Sequence, residues 1–160
     1  MQSMDMLLLV GDGPVCDALQ PMARLLGWQA RSTVLADEAL SLIGEARAVV
    51  VTSHDVEVAG VVLQAAIAVD LAYIGAMGSR PGQAKRREWL IGHGVSELDQ
   101  AAVHGPAGLD IGADSAPEIA LSILAELVNV LRGGRAVALR DRPGPIHPDL
   151  APGEALCPPG

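Results

Sequence analysis

Short unbroken apolar runs alternate along this chain with longer stretches whose apolar residues recur every three or four positions. Met6–Val10, "MLLLV", is ended by Gly11 and reads as a strand. Val15–Leu26 carries Val15, Leu19, Met22, Leu25 and Leu26 at helical spacing and stops at Gly27. Gln29–Leu35 then reads as a weaker, edge-like strand, Glu38–Ile43 as a short helix and Ala48–Thr52 as a buried strand. Val56–Ala68 is helical again, and Asp70–Ser79 holds a fourth strand ending in a glycine loop. Gln83–Gly92 is a helix with a strongly polar face, followed by a short helix near Glu97–Val103. The longest helix is expected from Ala116 to Leu131, where Ser115 and Glu118 have capping-box spacing and Pro117 fits the first turn.

Strands alternating with helices at this spacing predict an α/β fold, a Rossmann-like open parallel sheet with helices on both faces. Beyond Gly133 the pattern decays. Ala136–Leu139 has the length for one more strand, but residues 141–160 hold six of the eleven prolines. The expected organisation is a single Rossmann-like domain over 1–140 and an irregular Pro-rich tail over 141–160.

Composition narrows the chemistry. Half of the 160 residues are apolar, yet Trp28, Trp89 and Tyr73 are the whole aromatic complement, so the core must be aliphatic and alanine-rich. No aromatic platform for single-stranded nucleic acid is available, and a formal charge of -8 opposes a nucleic-acid partner. The apolar runs fall far below membrane-spanning length, and no basic segment precedes the first of them. With Cys16 expected inside the first helix and Cys157 in the tail, no structural disulfide is expected, which fits a cytoplasmic protein.

The stretch "VGDGPV" places a Gly-x-Gly turn between the first strand and helix, the parts of a dinucleotide fingerprint. Gly11 permits the tight turn, Gly13 lets a pyrophosphate approach the backbone, and Pro14 and Val15 open a helix whose N-terminus favours anions. Asp12 puts a carboxylate beside the expected phosphates, a repulsion of roughly 1–4 kcal/mol at a few ångströms. The fingerprint's third glycine position is Cys16, and the ribose-binding acid expected after the second strand falls on Leu35 and Ala36, leaving Asp37 as an imperfect substitute. Gly11–Leu19 is thus a Rossmann-like turn that either holds a nucleotide or retains only the scaffold.

Two further loops fall on the same predicted rim. "GAMGSRPGQAKRR" sets Gly78, Ser79 and Arg80 at the end of the fourth strand, with Lys85, Arg86 and Arg87 about one helical turn later. Ser79, Arg80 and loop amides suit a phosphate or carboxylate, whereas a solvated helix face with an arginine tied to the last helix is the plainer reading. "TSHD" places His54 and Asp55 after the third strand, for ligand contact, proton transfer or loop capping; no nearby histidine completes a metal set. His93, His104 and His147 read as ordinary loop histidines. Asp110 and Asp114 offer Mg²⁺ ligands, or Asp114 or Ser115 simply caps the long helix. That helix is apolar around much of its circumference, so one face meets the sheet and the excess points to a homo-oligomer.

"VGDGPVCDAL", "VVVTSHD", "AYIGAMGSR", "GLDIGA" and "PEIALSILAEL", in that order over Leu7 to Gly133, resemble the carboxyl-terminal Rossmann domain of the XdhC/CoxI family. The resemblance implies an accessory or maturation protein for molybdenum hydroxylases of the xanthine and carbon monoxide dehydrogenase type. It implies binding or delivery of a molybdenum cofactor, and longer members carry a separate amino-terminal domain. The family's glycine turn would correspond to Gly11 and Gly13, its histidine loop to His54, and its glycine-serine-arginine loop to Gly78, Ser79 and Arg80. The leading expectation is such an accessory protein, holding a nucleotide-bearing cofactor or docking to the molybdenum hydroxylase. Molybdopterin cytosine dinucleotide and NAD(P) are the candidate ligands. The alternatives are an NAD(P)-dependent oxidoreductase and a ligand-free Rossmann scaffold serving as a protein-interaction module.

Overall fold

A computed structural model describes residues 5–146. Five strands, β1 (Met6–Val10), β2 (Gln29–Thr33), β3 (Ala48–Val51), β4 (Tyr73–Ala76) and β5 (Val103–His104), form one sheet in the order β2-β1-β3-β4-β5. Every pairing is parallel. β1, β3 and β4 are buried at every residue, as strands covered on both faces must be, whereas the edge strand β2 buries only Ala30 and Thr33. The Rossmann-type α/β architecture expected from the pattern is the one observed.

Strand pleating divides the core in two. Leu8, Val10, Val49, Val51 and Ile74 face α2 (Ala36–Leu42), α3 (Val56–Ala68) and α4 (Arg80–Gly92). Leu7, Leu9, Val50 and Tyr73 face α1 (Pro14–Leu25) and α6 (Ala116–Arg132). Small residues permit close approach of the helices: a Cβ at Gly60 of α3 would collide with the indole ring of Trp89 on α4. The Ser115–Glu118 capping box closes the start of α6, and the backbone amides of Asp114 and Ser115 hold the Glu118 carboxyl below its usual range. Among the described residues no helix is long and apolar enough to cross a membrane.

Several expected boundaries move, each for a local reason. β2 stops at Thr33, because Leu35 N–H donates to the Thr33 hydroxyl and turns the chain into α2. α4 starts at Arg80 rather than Gln83, since Ser79 caps it by accepting from the Gly82 amide at 3.3 Å. The short helix α5 covers only Glu97–Gln100, and Val103 joins His104 in β5. Ala136–Leu139 forms no strand: Ala136 has φ of 52°, and Leu139 opens a 3-10 turn. The tail beyond residue 146, with His147 and Cys157, lies outside the described residues.

His104 is not an ordinary loop histidine. It pairs beside Gly75 in the sheet and stacks on Tyr73 with ring centroids 4.9 Å apart. The Tyr73 hydroxyl donates to Glu126 at 2.6 Å, the Gly108 amide donates to the same carboxylate at 2.8 Å, and His104 Nδ1 lies 3.3 Å from its other oxygen. One carboxylate therefore ties α6 to β4, β5 and the loop that follows β5. Burial first, then the bond to Glu126 and its charge, push the Tyr73 hydroxyl far above its ordinary range.

The folded chain keeps a tyrosine proton that the unfolded chain sheds near pH 10. Stability is therefore expected to fall as the pH rises above about 10. Burial also raises the buried Cys16 thiol, which adds a fall of the same sign, so the test compares parent with variant. In Tyr73→Phe the denaturant midpoint should fall less steeply over about pH 9 to 11; an unchanged slope would mean the hydroxyl contributes nothing to the linkage.

Candidate functional site

In a parallel sheet of this order the chain leaves β1 toward β2 on one side and returns to β3 on the other. The loops after β1 and β3 diverge there, and ligands of open α/β sheets bind in the crevice that results. Gly11 begins the first loop with φ of 133°. A Cβ at this position would collide with the Thr52 hydroxyl and lie 2.5 Å from the Ser53 amide nitrogen. Val10 carbonyl accepts from both Thr52 and Ser53 amides, at 2.8 and 3.0 Å, so the two loops are locked at their roots.

Gly13 is the N-cap of α1, with φ of 91° and no side-chain cap, and a Cβ there would meet nothing within 4 Å. The first helical bond runs from Asp17 N–H to Gly13 carbonyl at 3.0 Å. Pro14 has no N–H, so the amides of Val15 and Cys16 are the first-turn donors that point out of the helix end. Asp12 is exposed on the same turn. Open space, two aimed amides and a helix dipole suit an anionic group; the Asp12 carboxylate works against it.

His54 is exposed in the loop after β3, and Asp55 next to it caps α3 by accepting from the Glu57 and Val58 amides at 2.9 and 3.3 Å. Asp55 is thereby committed to its helix and His54 is left facing solvent. Gly78, Ser79 and the exposed Arg80 follow β4 on the same rim. The structure thus groups Gly11, Gly13, Pro14, Val15, His54, Gly78, Ser79 and Arg80 at the carboxyl ends of β1, β3 and β4. Asp37 is exposed in the first turn of α2, which follows the edge strand β2. The acid engaged at the end of β2 is Glu38, which accepts from the Thr33 hydroxyl.

Arg86 corrects the solvated-face reading of α4. It is only 5% exposed and reaches up beneath the rim, donating to Met77 carbonyl at 2.6 Å and Ser53 carbonyl at 2.9 Å. One guanidinium therefore bridges the loops after β3 and β4, and among the described residues no carboxylate pairs with it. Burial lowers its pKa, the expected direction for a desolvated cation. Gln83, also buried, donates to Ala76 carbonyl at 2.8 Å from the same helix face. Gln83, Arg86 and Leu90 share the i, i+3, i+7 stripe, a signal that two polar residues face inward with an apolar one.

Residues 7–127 match the XdhC Rossmann domain family, and the chain belongs to that family. It is 30% identical, over 145 aligned positions, to the uncharacterized protein YqeB of Escherichia coli strain K12, covering 78% of this chain and 27% of that protein. A crystal structure from Bacillus halodurans, described as a xanthine dehydrogenase, superposes with a TM-score of 0.65 at 22% identity, over 81% of this chain and 43% of the other. At that identity the likeness shows the fold. The chain spans about a quarter of the one protein and less than half of the other.

Two substitutions separate the roles of the rim glycines and of Arg86. Gly11→Ala should cost about 2–5 kcal/mol through strain and collision, against about 1–2 kcal/mol of backbone strain alone for Gly13→Ala; chemical denaturation of both variants measures the difference. Arg86→Met removes a buried cation along with its bonds, so its net cost should be small while the rim loosens. Hydrogen exchange at the amides of residues 53–55 and 77–79 should rise about tenfold, for about 1.4 kcal/mol of lost local stability. A rise spread evenly over the sheet would contradict a local clamp.

Proposed function

We propose that this member of the XdhC Rossmann domain family is an accessory module for a molybdenum hydroxylase, holding a nucleotide-bearing cofactor across the β1/β3 crevice. The observation that carries the reading is Gly13: a helix N-terminus without a side-chain cap, with open space over the glycine, two residues after a Gly11 packed tightly against Thr52 and Ser53. A pyrophosphate fits this arrangement through the Val15 and Cys16 amides, with Ser79 and Arg80 as a second anion contact and His54 beside the opening. Asp37 lies in the first turn of α2 rather than at the end of β2, where the ribose-binding acid of a nicotinamide site is expected, and Glu38, the acid bonded at that strand end, accepts from the Thr33 hydroxyl. That favours molybdopterin cytosine dinucleotide over NAD(P) as the ligand class.

The family membership and the fold of the Bacillus halodurans neighbour support an association with molybdenum hydroxylases. In this reading the module works in the cytoplasm by positioning rather than by bond chemistry, and a homo-oligomer built on a face other than the outer side of α6 would present two crevices to the enzyme.

Native mass spectrometry of the full chain with NAD, NADP, CTP and molybdopterin cytosine dinucleotide tests the proposal. A saturable complex with the cytosine-bearing ligands is expected, weakened at least about tenfold by Gly13→Asp, which adds both backbone strain and a like charge. Preference for NAD or NADP would shift the assignment to an oxidoreductase. No complex with any of the four would leave a ligand-free scaffold.

A further inference from the structure

A large concavity lies along the outer side of α1 and α6, lined by none of the rim residues. Both helices start at the ligand rim and run down the sheet, so the carboxyl-terminal half of each leads away from it. Met22, Leu25 and Leu26 at the end of α1 face Leu121, Leu124 and Val128 of α6 across a groove of about 1240 Å³, roofed on one side by the chain after Gly133. Leu25 is 88% exposed and Leu121 is 53% exposed, so the groove floor carries large apolar side chains that nothing in the described chain covers. Its volume exceeds the roughly 300–1,000 Å³ of ordinary small-molecule sites.

Two properties specify an occupant. The α6 residues Leu121, Leu124, Ala125, Val128 and Arg132 follow one helical stripe, about three turns or roughly 16 Å long, the form of surface that receives a partner helix. The charges are also segregated. In a chain with 19 acidic and 11 basic residues, the groove is lined by Arg132, Arg135 and Arg142 and by no aspartate or glutamate. Arg132 and Arg135 form no ion pair among the described residues. A second copy docking by two-fold symmetry would set like arginines around one shared groove, which is unfavourable.

We infer that this groove is a docking site for an amphipathic helix of another protein, with an apolar face flanked by acidic residues. The apolar face would cover the leucines, and the carboxylates would meet Arg132 and Arg135 at the rim. Because the stripe runs away from the Gly11–Val15 loop, such a helix and a crevice ligand can be bound together, and the inference stands whether or not the crevice holds a nucleotide.

The probe is a fluorescein-labelled peptide roughly four helical turns long, with a leucine stripe flanked by glutamates, and a counterpart with lysines in their place. Fluorescence anisotropy with the full chain should show saturable binding of the acidic peptide, weakening with salt. Leu121→Glu, and Arg132→Glu with Arg135→Glu, should each weaken it at least about tenfold, with circular dichroism confirming an intact fold. The double arginine variant should gain binding of the lysine peptide. Equal binding of both peptides by the parent chain, or no saturable binding of the acidic one, would overturn the inference. So would a concentration-dependent dimer in light scattering that Leu121→Glu disperses, since a second copy would then fill the groove.

Discussion

The rim on which the ligand proposal depends is held together by one buried guanidinium. Parallel strands deliver their loops to the same edge but do not by themselves fix one loop against the next. Main-chain bonds do this between β1 and β3, where Thr52 and Ser53 amides share the Val10 carbonyl. Between β3 and β4, Met77 N–H reaches Val51 carbonyl, and above that point the loops part. Arg86 closes the gap by donating to Ser53 and Met77 carbonyls together. A buried cation without a counter-ion is costly, and carbonyl dipoles repay only part of the cost. The arrangement trades some stability for a rim of defined shape. It also leaves fixed positive charge beneath loops assigned to anion contact, which is where an acidic protein most needs it.

Most of the architecture could be read from the sequence, because burial on both faces leaves a strong mark. "MLLLV" and "AVVV" are apolar without interruption, and they are strands covered by helices on either side. The failures have a common cause: they occur where too few residues carry the signal. β5 is two residues long and is held by pairing with Ile74 and Gly75, which no local pattern encodes. The start of α4 is set by a single serine cap in front of a proline and a glycine, both of which suggest a loop when read alone. After α6, the strand-like composition of Ala136–Leu139 is outweighed by the positive φ of Ala136 and the 3-10 turn that Leu139 opens.

The site was legible to a different degree. The glycine turn was visible from its spacing, and the structure adds the reason for each glycine: Gly11 because Thr52 and Ser53 leave no room, Gly13 because its φ is positive. Arg86 and Glu126 were harder to find, since charged residues on helices are usually solvated. Each is placed inward by helical periodicity that only becomes informative once an apolar neighbour on the same stripe, Leu90 for one and Ile123 for the other, is known to be buried.

The two polar hubs divide the labour of a domain with almost no aromatic residues. Arg86 fixes the loops of the ligand rim from the α3/α4 side, and Glu126 fixes β4, β5 and the following loop from the α1/α6 side. Between them the sheet needs only aliphatic packing. That leaves the apolar surplus of α6 free of structural duty at Leu121 and Val128, which point away from the sheet. A helix that already buries Ala120, Ile123, Leu124 and Leu127 against the strands has no folding reason to carry leucine on its outer side. An outward stripe bordered by arginines, in a protein whose net charge is strongly negative, is better explained by recognition than by stability.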